Sequence, residues 1–251
     1  MRLAAAVAIG FVSGVASGAF GIGGALLSTP GLRVVLDTPA LVAVGTTLPV
    51  VVPTALTGLV TYLRKQLVDG RSAAYAAASG CVFAVAGAFT TELVEGELLL
   101  VLTAALMLLL SLRMIKSPGA RQPASAPTPA VLLAIGAASG FLSGLLGIGG
   151  GVILVPVLSV FVGLPVKTAL GTSLAVVAAQ SIPGSVVHAV LGNIDWVLAG
   201  ALTAGVIPGA KLGSRLAVRS QEATLRVAVG VGMAAMAVVF GAVEMRKLLG
   251  Q

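Results

Sequence analysis

Long stretches without a single charge govern what this chain can become. Between Arg2 and Arg33 lie 30 uncharged residues, between Asp37 and Arg64 26, between Arg71 and Glu92 20, and between Lys167 and Asp195 27. Another 45 separate Arg121 from Lys167, room for more than one segment. A helix crossing the hydrocarbon of a bilayer takes about 20 apolar residues. Charged residues are 9% of the chain, against about 25% in a soluble domain. Such a chain cannot cover a water-facing surface, which excludes an ordinary soluble enzyme, a disordered chain and a disulfide-stapled module. The short alternating strands of a membrane barrel are not seen. The expectation is an all-α polytopic membrane protein.

The net charge of +7 would suggest nucleic acid in a soluble chain. Here basic residues in short loops hold topology instead, and no nucleic-acid partner is expected. The single cysteine, Cys81, lies in an apolar run, where packing is its role. The N-terminus could pass for a signal peptide, but the same stretch recurs later in the chain.

That recurrence is an internal duplication. Gly21-Ile22-Gly23-Gly24 returns as Gly147-Ile148-Gly149-Gly150, an offset of 126. Pro30, Pro39, Gly45-Thr46, Leu48, Gly58 and Asp69 all find their identical partners at that offset. From 21 to 70, 17 of 50 positions agree without a gap, and chance rarely aligns Gly, Pro, Thr and Asp together. Upstream, Gly10-Phe11-Val12-Ser13-Gly14 matches Gly140-Phe141-Leu142-Ser143-Gly144 at offset 130, implying four extra residues in the first copy. The boundaries are residues 1–115 for the first transmembrane repeat, 116–129 for a proline-rich polar linker and 130–251 for the second repeat.

The basic loops differ between the copies. Arg64, Lys65 and Arg71 follow the second span of copy one, where 191–196 in copy two has no basic residue. Glu92, Glu95 and Glu97 follow the third span of copy one, where copy two has Arg215, Arg219 and Arg226. Since Lys and Arg favour the cytoplasm, the copies are expected to be inverted. Each would be a re-entrant broken-helix hairpin, bent at its glycine cluster, plus three crossings. That arrangement puts 11 of 15 basic residues inside, against 9 of 15 for eight plain crossings.

Inverted repeats with broken helices are the common plan of secondary transporters, with the substrate near the midplane. A helix starting after a glycine cluster points free N–H groups at whatever lies there, an anion site needing no charged side chain. Gly23, Gly24, Gly149, Gly150 and Gly151 are therefore candidate substrate contacts, with close helix packing as the alternative. Thr46, Thr47, Thr172 and Ser173 open charge-free spans; their hydroxyls can donate to an oxyanion or satisfy their own backbone. Gln180, the one amide in its run, can donate two hydrogen bonds. His188 aligns with Tyr62: a proton relay or gate is one reading, an interfacial residue the other. Asp69 and Asp195 match at loop edges, where capping is expected. Lys211 either snorkels to the interface or attracts anions to a cavity mouth. No catalytic or metal-ligand constellation and no phosphate-binding loop is visible, so neither enzymatic activity nor a cofactor is expected.

These residues resemble the sulfite exporter TauE/SafE family of membrane permeases. The resemblance rests on Gly14…Gly21-Ile22-Gly23-Gly24…Pro30, Gly45-Thr46-Thr47 and Gly58…Tyr62, with their second-copy partners and Gly205…Gly209-Ala210…Gly213. Copy one departs where Phe83-Ala84 stands against Gly209-Ala210, which puts that close-packing motif in doubt there. The resemblance implies transport of small organic or sulfur-containing anions such as sulfite, thiosulfate or sulfoacetate, driven by an ion gradient, with proton and sodium both open as the coupling ion. The expectation is an alternating-access permease in a prokaryotic cell membrane. A passive anion channel and a non-transporting membrane scaffold are the rivals.

Overall fold

A computed structural model describes residues 2–90, 105, 108–116, 127–147 and 149–248. The described residues form helices and no strands. In order these are α1 (Arg2–Phe20), α2 (Ala25–Val35), α3 (Ala40–Leu63) and α4 (Gly70–Thr90), then α5 (Pro129–Leu146), α6 (Gly151–Pro156), α7 (Val166–Val190), α8 (Trp196–Arg219) and α9 (Glu222–Leu248). Residues 108–116 are also helical, and α6 runs on into a π-helical turn, Val157–Phe161. Among the described residues, six helices are long and apolar enough to cross a membrane: α1, α3, α4, α5, α7 and α8. The protein is thus an all-helical, polytopic membrane protein. Most of the first copy's last crossing, Glu92, Glu95, Glu97, most of the linker and Ile148 lie outside the described residues.

Both glycine clusters break their helices. α1 stops at Phe20 and α2 starts at Ala25; α5 stops at Leu146 and α6 starts at Gly151. Gly21, Gly23, Gly24, Gly147, Gly149 and Gly150 all have positive φ, a conformation that costs a side-chain-bearing residue dearly. After the first break the chain folds back, with Ser13 Oγ 2.7 Å from Ser28 Oγ and Arg2 donating to the Leu36 carbonyl at 2.8 Å. The hairpin arms are unequal. α1 has 19 residues and reaches as far as a crossing helix, whereas α2 has 11.

The two copies interlock reciprocally. α1 packs along α8, and α4 along α5. Small residues bring these backbones together: a Cβ added at Gly14 would stand 2.5 Å from the Val206 carbonyl oxygen, and one at Gly140 would overlap the Gly80 carbonyl. Gly10 lies on Leu202 and Gly18 on Ala210; Gly136 lies on Ala76 and Gly144 on Ala84. Every one of these pairs maps onto its counterpart at an offset of 126. The four-residue insertion inferred upstream of the first cluster is therefore absent. The error has a helical origin: Gly10-x-x-Ser13-Gly14-x-x-Ser17-Gly18 and Gly136-x-x-Ser139-Gly140-x-x-Ser143-Gly144 each repeat every four residues, so a slip of one repeat also aligns. Close packing also survives the departure at Phe83-Ala84. Gly80 and Ala84 meet Gly140 and Gly144 as Val206 and Ala210 meet Gly14 and Gly18, and Gly87 lies on Phe141 as Gly213 lies on Val15.

These contacts separate two kinds of glycine. Gly14→Val and Gly140→Val should each lower the melting temperature in detergent, by an overpacking cost of about 1–3 kcal/mol. Gly200, with open space around it on α8, should gain about 0.5–1 kcal/mol on substitution by Ala through helix propensity.

Candidate functional site

The two glycine turns meet each other. A Cβ at Gly23 would be 4.0 Å from Gly149 Cα, 2.7 Å from Val177 and 3.0 Å from Val51. A Cβ at Gly149 would lie 3.3 Å from Val51 and 3.4 Å from Val177. Gly151 sits against the Gly21 carbonyl and Ile22. Val51 and Val177, equivalent residues near the middles of α3 and α7, thus wall a buried crossing from which α2 and α6 set out. Both short helices begin on a left-handed glycine, Gly24 and Gly150. Their first N–H groups have no intrahelical acceptor and carry the positive end of the helix dipole; that of Gly151 donates to the Gly149 carbonyl at 2.8 Å.

The paired hydroxyl motifs hold the copies together. Thr172 Oγ1 accepts from the Asp69 N–H at 2.9 Å, and Thr46 Oγ1 accepts from the Asp195 N–H at the same distance, 2.9 Å. Ser173 donates to the Gly21 carbonyl at 2.8 Å, and Thr47 reaches the Gly147 carbonyl at 3.4 Å. Thr47 also bonds the Val44 carbonyl and Thr29. Each motif therefore grips both the loop and the glycine turn of the opposite copy. All four hydroxyl residues are fully buried. Asp69 and Asp195 do cap: Asp195 accepts from the Val197 and Leu198 N–H groups at 3.0 Å each, and Asp69 from the Arg71 N–H and the Ser72 hydroxyl.

Gln180 is also engaged. Its Nε2 donates to the Gly149 carbonyl at 3.0 Å and its Oε1 accepts from Ser139 at 3.2 Å, tying α7 to the second turn and to α5. Tyr62 donates to the Gly18 carbonyl at 3.1 Å, and His188 Nε2 lies 3.3 Å from the Gly144 carbonyl oxygen. The aligned pair thus does the same job in each copy, locking the long hairpin arm to the long crossing. Lys211 opens onto a cavity at the end of α8.

Two candidates escaped the sequence reading. Ser17 and Ser143 are fully buried, and neither hydroxyl has a hydrogen-bond partner. Ser17 Cβ would be 3.4 Å from a Cβ on Gly24, and Ser143 is its equivalent at offset 126. A buried hydroxyl without a partner forfeits about 1–3 kcal/mol, and small polar solutes can supply the missing bond. The signal was present in the sequence, but aligning Ser13 with Ser143 hid it.

Six membrane-length helices among the described residues, two of them broken at buried glycine turns that meet, define a polytopic membrane protein. The family model for the sulfite exporter TauE/SafE matches residues 6–240, and the chain belongs to that family. It is 29% identical over 245 residues to the probable membrane transporter protein YunE of Bacillus subtilis, covering 87% of this chain and 90% of the relative. It is 34% identical over 220 residues to a probable membrane transporter protein of Xylella fastidiosa, covering 84% and 83%. A probable membrane transporter protein of Methanocaldococcus jannaschii, MJ0441, is 25% identical over 241 residues, covering 88% of each. No solved structure matches the chain. The protein is a multi-pass membrane transporter.

The reciprocal bonds predict reciprocal costs. Thr46→Val and Thr172→Val should each destabilise by about 1–3 kcal/mol, because each leaves a backbone N–H without its acceptor. Equal melting-temperature losses in the two variants would bear out the symmetry; a loss in one alone would refute it.

Proposed function

We propose that the chain is a secondary transporter of a small oxyanion, of the class of sulfite, thiosulfate or sulfoacetate, working by alternating access between two inverted copies in a prokaryotic cell membrane. The observation that carries this reading is the crossing itself. Two short helices start from touching, buried glycine turns, so two positive dipole ends converge without a buried Lys or Arg, whose insertion costs several kcal/mol. The anion would sit against Gly23, Gly24, Gly149, Gly150 and Gly151, with Ser17 and Ser143 donating. Thr46, Thr47, Thr172, Ser173 and Gln180 would carry the change between states, since their bonds link moving parts.

The direction of the helices supports inversion. Residue numbers rise together along α1 with α8 and along α4 with α5, but oppose along α3 with α7, where Gly58 meets Leu174 and Gly184 meets Leu48. Because α4 returns after α3 and α8 after α7, α1 and α5 then run oppositely. Asp69 and Asp195, bonded to the second turns of α7 and α3, would accordingly mark opposite ends. The end bearing Arg64 and Lys65 would face the cytoplasm.

Labelled sulfite taken up into proteoliposomes checks the reading. Saturable uptake, counterflow with unlabelled sulfite, and dependence on an imposed proton or sodium gradient are expected. Ser17→Ala and Ser143→Ala should each reduce uptake about tenfold at matched protein stability, the worth of one hydrogen bond to a charged group. Flux proportional to the gradient without counterflow would make the protein a channel, and no flux for any small anion would make it a scaffold.

A further inference from the structure

A cavity of about 1050 Å3 opens at the end of the molecule where α3 finishes, α7 begins and α8 finishes. Six cations line it: Arg64, Lys65, Lys167, Lys211, Arg215 and Arg219. Its lining includes no carboxylate among the described residues. Thr57 and Thr61 add hydroxyls, and Thr57 lies one turn beyond Thr54, which touches the Gly24 turn. Lys167 Nζ donates to the Val218 carbonyl at 2.9 Å, and Glu222 accepts from the Lys167 N–H at 3.1 Å, outside the lining. Lys211, Arg215 and Arg219 are exposed, four residues apart on one helix, a spacing at which like charges repel.

Membrane topology asks only that basic residues lie on one side. It does not ask that they converge on one hollow from both copies. Nor does the duplicated frame require them. At the offset of 126, Arg64, Lys65, Lys167, Lys211 and Arg215 correspond to Val190, Leu191, Leu41, Val85 and Phe89. The fold builds the same framework at both ends, but at these five positions only one end is charged. Clustered charge in a hollow with low-dielectric walls focuses the field and concentrates counter-ions there.

We propose that this vestibule is a second anion site, an antechamber that binds a multiply charged oxyanion before it reaches the glycine crossing. As a station on a route it rests on the transport reading above; as a binding site it stands alone. Lys211 and Arg215 would hold the anion through charge-assisted hydrogen bonds, with Arg64 facing them from the end of α3.

Inorganic sulfate is the probe, titrated calorimetrically into the full chain in phosphatidylcholine nanodiscs at low ionic strength. Saturable binding that weakens with added sodium chloride is expected. Lys211→Gln with Arg215→Gln should weaken it at least about tenfold, while Lys211→Arg with Arg215→Lys should keep it. Arg64→Gln gives the same readout should the double variant not fold. Undiminished binding in the glutamine variants would overturn the proposal. So would absent sulfate binding, and retention of phosphatidylglycerol by the wild type alone would then name a lipid headgroup as the occupant. The assay needs no flux, so its failure is distinct from failure of the transport reading.

Discussion

Backbone-to-backbone contact between helices of opposite copies is the constraint on which the rest depends. Apolar side chains gain little by leaving lipid for a helix interface, so association within a bilayer relies on close van der Waals contact and hydrogen bonds. Gly10, Gly14 and Gly18 on α1, and Gly136, Gly140 and Gly144 on α5, let whole helix faces approach to carbonyl distance. Once α1 is seated on α8 and α5 on α4, the turns that follow are carried to the middle of the molecule. The positions of Gly23 and Gly149 are thus set largely outside the turns, by stripes of small residues one to three helical turns away.

Around that crossing the polar groups divide into two sets. Thr46, Thr47, Thr172, Ser173 and Gln180 spend their hydrogen-bonding capacity on backbone of the opposite copy, or of another helix in their own. Such bonds tie one copy to the other, because a hydroxyl released from a carbonyl away from water needs a new partner at once. Ser17 and Ser143 are buried and unspent. A group that ligates and a group that fastens face opposite demands: the first must be left unsatisfied by the fold, the second must be satisfied by it.

Much of the architecture was legible in the sequence because it is written in residue types with strong physical meaning. Charge-free runs located the crossing helices, and paired Gly-Ile-Gly-Gly clusters marked where helices break. Asp69 and Asp195 read as caps and are caps. Two things were not legible. Register along α1 was lost because a four-residue repeat slips onto itself, and only tertiary contacts such as Gly14 with Val206 against Gly140 with Gly80 restore it. The work of the Thr and Ser motifs was hidden because their partners are backbone atoms of residues about 100 to 152 positions away. Backbone groups leave no trace in residue identity, so a hydroxyl aimed at them looks the same as one awaiting a ligand.

A duplicated framework with equal ends would move its cargo with no intrinsic preference, since each end would offer the same attraction. This chain departs from equality in charge at the surface, not at the crossing. Val51 opposes Val177 and Gly23 opposes Gly149, with Thr54 against Gln180 as the one polar difference named at the crossing, while Arg64 and Lys211 stand where the other end has Val190 and Val85. Charge placed in a watery vestibule avoids the desolvation penalty that charge at the crossing would incur. It still raises the local concentration of anions on one side. In the transport proposed above, the paired glycine turns would then serve both directions alike, while the two exteriors would differ in what they collect.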